Sequence, residues 1–140
     1  MQLLKDVMSY DVQVISPEAT IREAAARMRD EGFGMLPVGE NDRMIGAISD
    51  RDIAMRAVAD GKGADTLVRD VMSEDMIWCY EDDTVEKGAD VMSSCQVRRL
   101  PVVNREKRLV GIVSLGDFAV AGDDIRPCVD ALIGISQPQF

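Results

Sequence analysis

The sequence predicts a mixed α/β (α+β) fold, built from two tandem copies of one β-α-β-β-α unit that pack together as a pseudo-symmetric module. Three observations carry that prediction. KDVMS at Lys5–Ser9 returns as RDVMS at Arg69–Ser73, a shift of 64 that also carries Thr20 onto Thr84, Met28 onto Met92 and MLPV (Met35–Val38) onto RLPV (Arg99–Val102). GAISDRD (Gly46 to Asp52) returns as GIVSLGD (Gly111 to Asp117) at a shift of 65, the extra residue falling in a polar turn where an insertion is tolerated. The length of 140 residues, with 46% apolar and 29% charged, suits one compact domain with a sizeable core and no disulfide or structural metal. Half of that length rarely folds alone, so the copies should pack on one another.

A short extended piece, Val12–Ile15 or Met76–Cys79, opens each copy. In the first copy Thr20 and Glu23 form a capping box, Ile21, Ala24, Ala25 and Met28 share one helical face, and Gly32 and Gly34 stop the helix. In the second, Thr84 starts the helix and Val85, Gly88, Ala89 and Met92 repeat the stripe. Two strands follow, MLPV and RMIGAIS in one copy and RLPVV and RLVGIVS in the other, joined by the polar turns GEND and NREK. Second helices run from about Ser49 to Asp60 and from about Ser114 onward. GKGADTLV, Gly61–Val68, is the one loop-like boundary, giving repeat 1 over residues 1–62, repeat 2 over 63–122 and a tail over 123–140. That tail has helical spacing at Ile125, Val129, Leu132 and Ile133 and ends in a frayed QPQF.

Composition narrows the chemistry. The net charge is −9 and the pI near 4.4, which disfavours binding to a nucleic-acid backbone but leaves room for one small anion at a local basic spot. No histidine is present, so the commonest general base and metal ligand is missing. Cys79, Cys95 and Cys128 have no CxxC spacing and are odd in number, which favours free thiols over zinc or a disulfide set. No apolar run approaches the ~18 residues of a membrane span and the start lacks a signal-peptide pattern, so a cytoplasmic location is expected. Most of the nine methionines sit at repeat-equivalent places, as core fillers do.

Ser49 with Asp52, and Ser114 with Asp117, have two readings. As helix N-cap and acidic third residue, each pair closes a capping box with no ligand. The same turn also offers free N–H groups and a hydroxyl to phosphate, and a carboxylate whose two oxygens can accept both hydroxyls of a ribose. One serine can serve both purposes.

The paired DVMS openings, the LPVV-type strands and the G-h-h-S-x-x-D endings, in register twice over residues 5 to about 120, resemble a tandem pair of CBS domains, a Bateman module. The layout is similar to small stand-alone bacterial CBS-pair proteins of the hypoxic-response type. The resemblance implies repeats joined through their sheets with two clefts between them, regulation by adenosine-containing ligands and flat homodimers. In the cleft it favours, Ala47, Ser49 and Asp52, with Arg51 assisting, face Ile77, Val97, Arg98 and Arg99. Asp52 would hold ribose, Ser49 would lie near phosphate, Ile77 and Val97 would flank the base, and Arg98 and Arg99 would take phosphate oxygens. The bland reading of the Arg pair is a solvated strand edge or salt bridges to carboxylates. The other cleft would join Ile112, Ser114 and Asp117 to Gln13, Phe33, Gly34 and Met35. It lacks the cations, so the expectation there is an empty cleft filled by Phe33 and Met35, or a less charged adenosine compound. Trp78 should turn away from Ile77 by strand alternation and cover a dimer surface.

The expected function is a non-catalytic sensor for AMP, ADP, ATP, NAD or S-adenosylmethionine that signals to an unidentified effector protein, with no catalytic cofactor. An enzyme is opposed by the lack of histidine, of a GxGxxG or GxxxxGK[ST] loop and of a metal set. The remaining rival is a structural or protein-interaction module whose clefts bind nothing. Asp52→Ala should then weaken ligand binding more than Asp117→Ala.

Overall fold

A computed structural model describes residues 1–32, 34–41, 43–75 and 77–138. Its helices are α1 (Leu4–Val7), α2 (Ile21–Glu31), α3 (Asp50–Asp52), α4 (Val85–Cys95), α5 (Leu115–Ala121) and α6 (Arg126–Ile135). Its strands are β1 (Met35–Glu40), β2 (Arg43–Ser49), β3 (Cys79–Tyr80), β4 (Arg99–Val103) and β5 (Leu109–Ser114). The chain divides into two compact units: a central unit, Gln13–Met76, and a terminal unit, Met1–Val12 with Ile77–Phe140, named here for their places in the sequence.

In the central unit β1 and β2 form an antiparallel hairpin running from Met35↔Ser49 to Glu40↔Arg43. The extended piece before α2 shrinks to one bridge, Ile15↔Val38. At the start of α2 the Thr20 hydroxyl accepts from the Glu23 amide at 3.2 Å, which is half of the expected capping box. Ile21, Ala24 and Met28 are buried, whereas Ala25 faces solvent, a correction to the predicted stripe. The expected second helix is α-helical only over Asp50–Asp52 and continues as a π-helical turn, Ile53–Val58. The core gathers Ile15, Ile21, Ala24, Met28, Leu36, Val38, Ile48, Ala57, Val68, Val71 and Met72.

The terminal unit carries the sheet β3-β4-β5, with β3 parallel and β5 antiparallel to β4. The α4 stripe is as predicted: Val85, Gly88, Ala89 and Met92 are all buried. Phe118 of α5 is 1% exposed, and Ala131 brings α6 into the same core. In the predicted tail stripe, Ile125, Val129, Leu132 and Ile133 face solvent, while Pro127 and Ala131 are the buried side of α6. Trp78 lies edge-on to Tyr80 at 4.9 Å, both rings half-buried.

The units cut across the sequence repeats. The first DVMS segment packs in the unit that holds the body of the second repeat, where Ser9 and Ile112 exchange backbone hydrogen bonds at 2.9 and 3.0 Å. The second packs in the unit of the first repeat, with Ser73 and Ala47 paired at 2.9 and 3.0 Å. This crossing explains the glycine that opens each G-h-h-S motif. A Cβ on Gly46 would stand 2.5 Å from the Ser73 carbonyl oxygen, and one on Gly111 would stand 2.6 Å from Met8 Sδ and 2.9 Å from the Ser9 oxygen. Arg69 fastens the second crossing by ion pairs to Glu18 at 2.6 Å and Glu40 at 2.8 Å.

Candidate functional site: two strand-to-helix corners

Each unit contains one corner where the antiparallel hairpin delivers a serine to a helix start. At both, the serine and aspartate form a complete capping box. The Ser49 amide donates to Asp52 Oδ2 at 2.9 Å and the Asp52 amide to Ser49 Oγ at 3.0 Å. For Ser114 and Asp117 the same bonds are 2.8 and 3.1 Å. The box uses Oδ2 of each aspartate, and both carboxylates are half-buried rather than sealed, so each retains acceptor capacity toward solvent.

The register decides what lies beside each serine. In the terminal unit Arg99 is opposite Ser114, and the Leu115 amide donates to the Arg98 carbonyl at 2.9 Å. Both arginines are exposed, whereas Ile77 and Val97 pack half-buried on the core. Ile112 is half-buried on β5, held by Ser9. In the central unit Met35 is opposite Ser49, and the Asp50 amide donates to the Gly34 carbonyl at 2.8 Å. Ala47 pairs with Pro37 and Ser73, Arg51 is exposed, and Gln13 accepts from Arg27 Nη2 at 3.0 Å. Phe33 lies outside the described residues. The structure thus brings Arg98 and Arg99 together with Ser114 and Asp117 inside one unit, and Gln13, Gly34 and Met35 together with Ser49 and Asp52 inside the other.

Three features were missed from the sequence. Asp50 turns its carboxylate back so that Oδ1 accepts from the Arg51 amide at 2.7 Å. The same carboxylate stands over Gly34, where a Cβ would lie 2.6 Å from its Oδ2. Leu115 and Gly116 are the repeat counterparts of Asp50 and Arg51. Gly116 thus follows a leucine where Arg51 follows an aspartate, and a Cβ there would meet nothing nearer than Ser114 Oγ at 3.6 Å. The signal was available, since the residue after each motif serine is acidic in one copy and apolar in the other. Arg27 is the third, a cation lodged on Gln13 and on the Val14 carbonyl at 2.9 Å.

Residues 4–58 and 68–123 each match the family described as the CBS domain. This chain is a tandem CBS-domain pair. A CBS pair is a regulatory module, and known relatives share its dimensions. The CBS domain-containing protein YhcV of Bacillus subtilis is 39% identical over 136 residues, covering 97% of this chain and 96% of YhcV. Hypoxic response protein 1 of Mycobacterium tuberculosis is 35% identical, covering 85% of this chain and 84% of its own. The crystal structure of Hypoxic Response Protein I with two coordinated zinc ions superposes with a TM-score of 0.76 at 31% identity, covering 85% of this chain and 98% of that one. The CBS pair of protein MJ0100, in complex with 5-methylthioadenosine and S-adenosyl-L-methionine, gives 0.76 at 29% identity over 85% of this chain and 94% of that one. Among the described residues of this CBS pair, no group of three or more His, Cys, Asp or Glu is placed to hold a metal, and no helix is long and apolar enough to cross a membrane.

Proposed function

We propose that this CBS pair is a non-catalytic sensor that binds a phosphate-bearing adenosine ligand of the AMP, ADP or ATP class and passes the signal to a partner protein. The observation that carries the proposal is the corner of the terminal unit. Two guanidinium groups lead into the strand opposite Ser114, and the place that Asp50 fills with negative charge in the central unit is occupied here by Leu115. Arg98 supplies charge-assisted hydrogen bonds to phosphate oxygens, Arg99 adds to the local field, and Asp117 offers its spare acceptors to ribose hydroxyls. Ile77 and Val97 present apolar surface to a base. The adenosine compounds in the MJ0100 pair, 5-methylthioadenosine and S-adenosyl-L-methionine, support the adenosine part of this ligand; neither carries a phosphate, so the phosphate rests on the arginines alone. The completed capping boxes support the competing reading, a module that binds nothing, because they account for both S-x-x-D motifs without a ligand.

Thermal-shift and calorimetric titration with AMP, ADP, ATP, NAD and S-adenosylmethionine separates the two. A ligand at 100 times its Kd should stabilise the fold by about 2.7 kcal/mol. Arg98→Ala should weaken a phosphate-bearing ligand by roughly ten-fold or more, the scale of one charge-assisted hydrogen bond. Comparing Asp117→Asn with Asp52→Asn then identifies which carboxylate serves that ligand. No shift with any of the five compounds would leave the interaction module as the function.

A further inference from the structure

The single tryptophan of the chain and both of its tyrosines, Trp78, Tyr10 and Tyr80, belong to the terminal unit. Backbone hydrogen bonds lace their segments together. The Tyr10 hydroxyl donates to the Lys5 carbonyl at 2.6 Å, the Lys5 amide to the Glu81 carbonyl at 3.0 Å, and the Glu81 amide to the Val103 carbonyl at 2.9 Å. The end of β3 therefore sits between α1 and the turn that joins β4 to β5. Cations from that turn lie against the rings. The Arg105 guanidinium stands 4.2 Å from the centre of the Tyr80 ring, and Lys107 Nζ stands 6.0 Å from that of Trp78. Lys107 is held at a φ of 64° by Asn104, whose side-chain oxygen accepts from the Glu106 and Arg108 amides at 3.0 Å each. The central hairpin puts an asparagine, Asn41, in its own left-handed position, which suits that backbone better than a lysine does.

The equivalent place in the central unit is built differently. A shift of 64 puts Val14 and Ser16 where Trp78 and Tyr80 stand, Glu74 in place of Tyr10 and Arg69 in place of Lys5. Arg69 is consumed by its pairs to Glu18 and Glu40. Asp82 is the counterpart of Glu18, but it takes Arg105 instead, in two bonds of 2.8 and 3.1 Å. Lys5 and Lys107 are thus left exposed, with no ion pair among the described residues. The carboxylates alongside are largely engaged: Asp6 with the Leu3 amide at 2.9 Å, Asp83 with the Tyr80 amide at 2.8 Å, and Glu106 with Arg108 at 3.8 Å. Glu81 alone is left to oppose the two ammonium groups.

We propose that this aromatic face of the terminal unit docks the partner protein, through an acidic segment of the partner that also carries apolar side chains. The inference rests on the reading above only for the existence of a partner, not for the nucleotide. Tryptophan, tyrosine and arginine carry most of the energy at protein interfaces, and here they stand together in a chain only 4% aromatic. The rings offer apolar area to the segment, and its carboxylates pair with Lys107 and Lys5. A chain of net charge −9 repels an acidic partner elsewhere, so two unpaired ammonium groups direct it to this face. The face also has a path to the candidate site. It lies at the turn end of β4 and β5, and the corner where Arg99 is opposite Ser114 is the other end of the same two strands.

Fluorescence of the full chain tests this, because Trp78 is its one tryptophan and reports from the face itself. The probe is a short peptide of Asp, Glu, Leu and Phe, and the control is the same peptide with Lys in place of every acid. The acidic peptide should change Trp78 emission along a saturable curve that weakens with added salt, and the basic peptide should not. Lys5→Glu with Lys107→Glu should weaken the acidic peptide at least ~10-fold and admit the basic one, with an unchanged circular dichroism spectrum. Trp78→Ala, followed by anisotropy of a labelled acidic peptide, should lose a similar factor. Calorimetric titration of the charge-reversed chain with AMP, ADP and ATP should match the wild type, so the docking face and the nucleotide reading fail separately. No response to the acidic peptide, an equal response to both peptides, or a charge-reversed chain that still binds the acidic one would each overturn the proposal. So would a Trp78 emission that shifts when the protein alone is diluted, which would give the face to a second copy.

Discussion

The corners of the two units share a backbone path and a complete Ser–Asp capping box, yet they are electrostatic opposites. In the central unit the carboxylate of Asp50 lies over Gly34 and caps the Arg51 amide, so negative charge already occupies the space beside Ser49. In the terminal unit Leu115 replaces Asp50 and Arg98 replaces Gly34, so no carboxylate follows the serine and two exposed arginines lead into the strand opposite it. The S-x-x-D motif is therefore a structural constant, and the proposed preference for an anion at the terminal corner rests on its immediate neighbours. The second helices differ as well. Phe118 anchors α5 in the core, while its counterpart Ile53 is half-buried, lines the open cleft beside α2 and begins a π-helical turn.

The largest effect should come from that anchor. Phe118→Ala removes a fully buried ring and should cost roughly 3–5 kcal/mol of unfolding free energy, whereas Ile53→Ala, already partly solvated, should cost about 2 kcal/mol or less. Urea unfolding of both variants measures the difference. Equal losses would mean that the two helix packings are equivalent after all.

Alkaline pH should separate the units next. Cys79 occupies in the terminal core the position that Ile15 holds in the central one. Burial, with a smaller contribution from the Asp83 carboxylate, pushes its thiol up from 9.0 to about 11. Below pH 9 the folded and unfolded chains both keep this proton, so stability is unaffected. Between pH 9 and 11 the unfolded chain releases it and the folded chain does not, so stability falls, by on the order of 2–3 kcal/mol in all. Cys79→Val should flatten the fall in urea midpoints over that window relative to wild type. An unchanged slope would show that the thiol ionises freely in the folded chain.

Much of this architecture was legible because it is local. Thr84, with the stripe Val85, Gly88, Ala89 and Met92, specifies a capped amphipathic helix by spacing alone, and both hairpins follow from apolar runs around a polar turn. Ser49 and Ser114 declare their helix starts in the same way. What escaped depends on partners distant in sequence. No local pattern says that Ser9 will pair with Ile112 and Ser73 with Ala47, although the glycines that permit the crossing were visible. Ala25 continues a helical stripe and still faces solvent, because no described residue of the central unit covers it as α6 covers the equivalent Ala89. The apolar spacing of α6 correctly indicated a helix, but its larger side chains point outward and the small ones, Ala131 and Gly134, make the close packing. At the candidate site, the motif residues were found and their electrostatic setting was not, since Asp50 acts through a side chain that folds back on the next amide.

The finest test of the comparison exchanges that setting. Leu115→Asp should recreate beside Ser114 the negative charge found beside Ser49, and should weaken binding of a phosphate-bearing ligand by about ten-fold or more, since a carboxylate then competes for the guanidinium groups and repels the anion. Leu115 packs on the core, so Leu115→Asn is the control that loses the same apolar contact without adding charge. The complementary exchange, Asp50→Ala with Gly34→Arg, clears the carboxylate from the space a side chain at residue 34 must enter and supplies the missing cation. Titration calorimetry should then count a second ligand per chain. If Leu115→Asp and Leu115→Asn bind alike, charge at this position does not distinguish the corners. If the double exchange adds no second site, the remainder of the central corner, including Arg27 on Gln13, withholds something that the terminal corner provides.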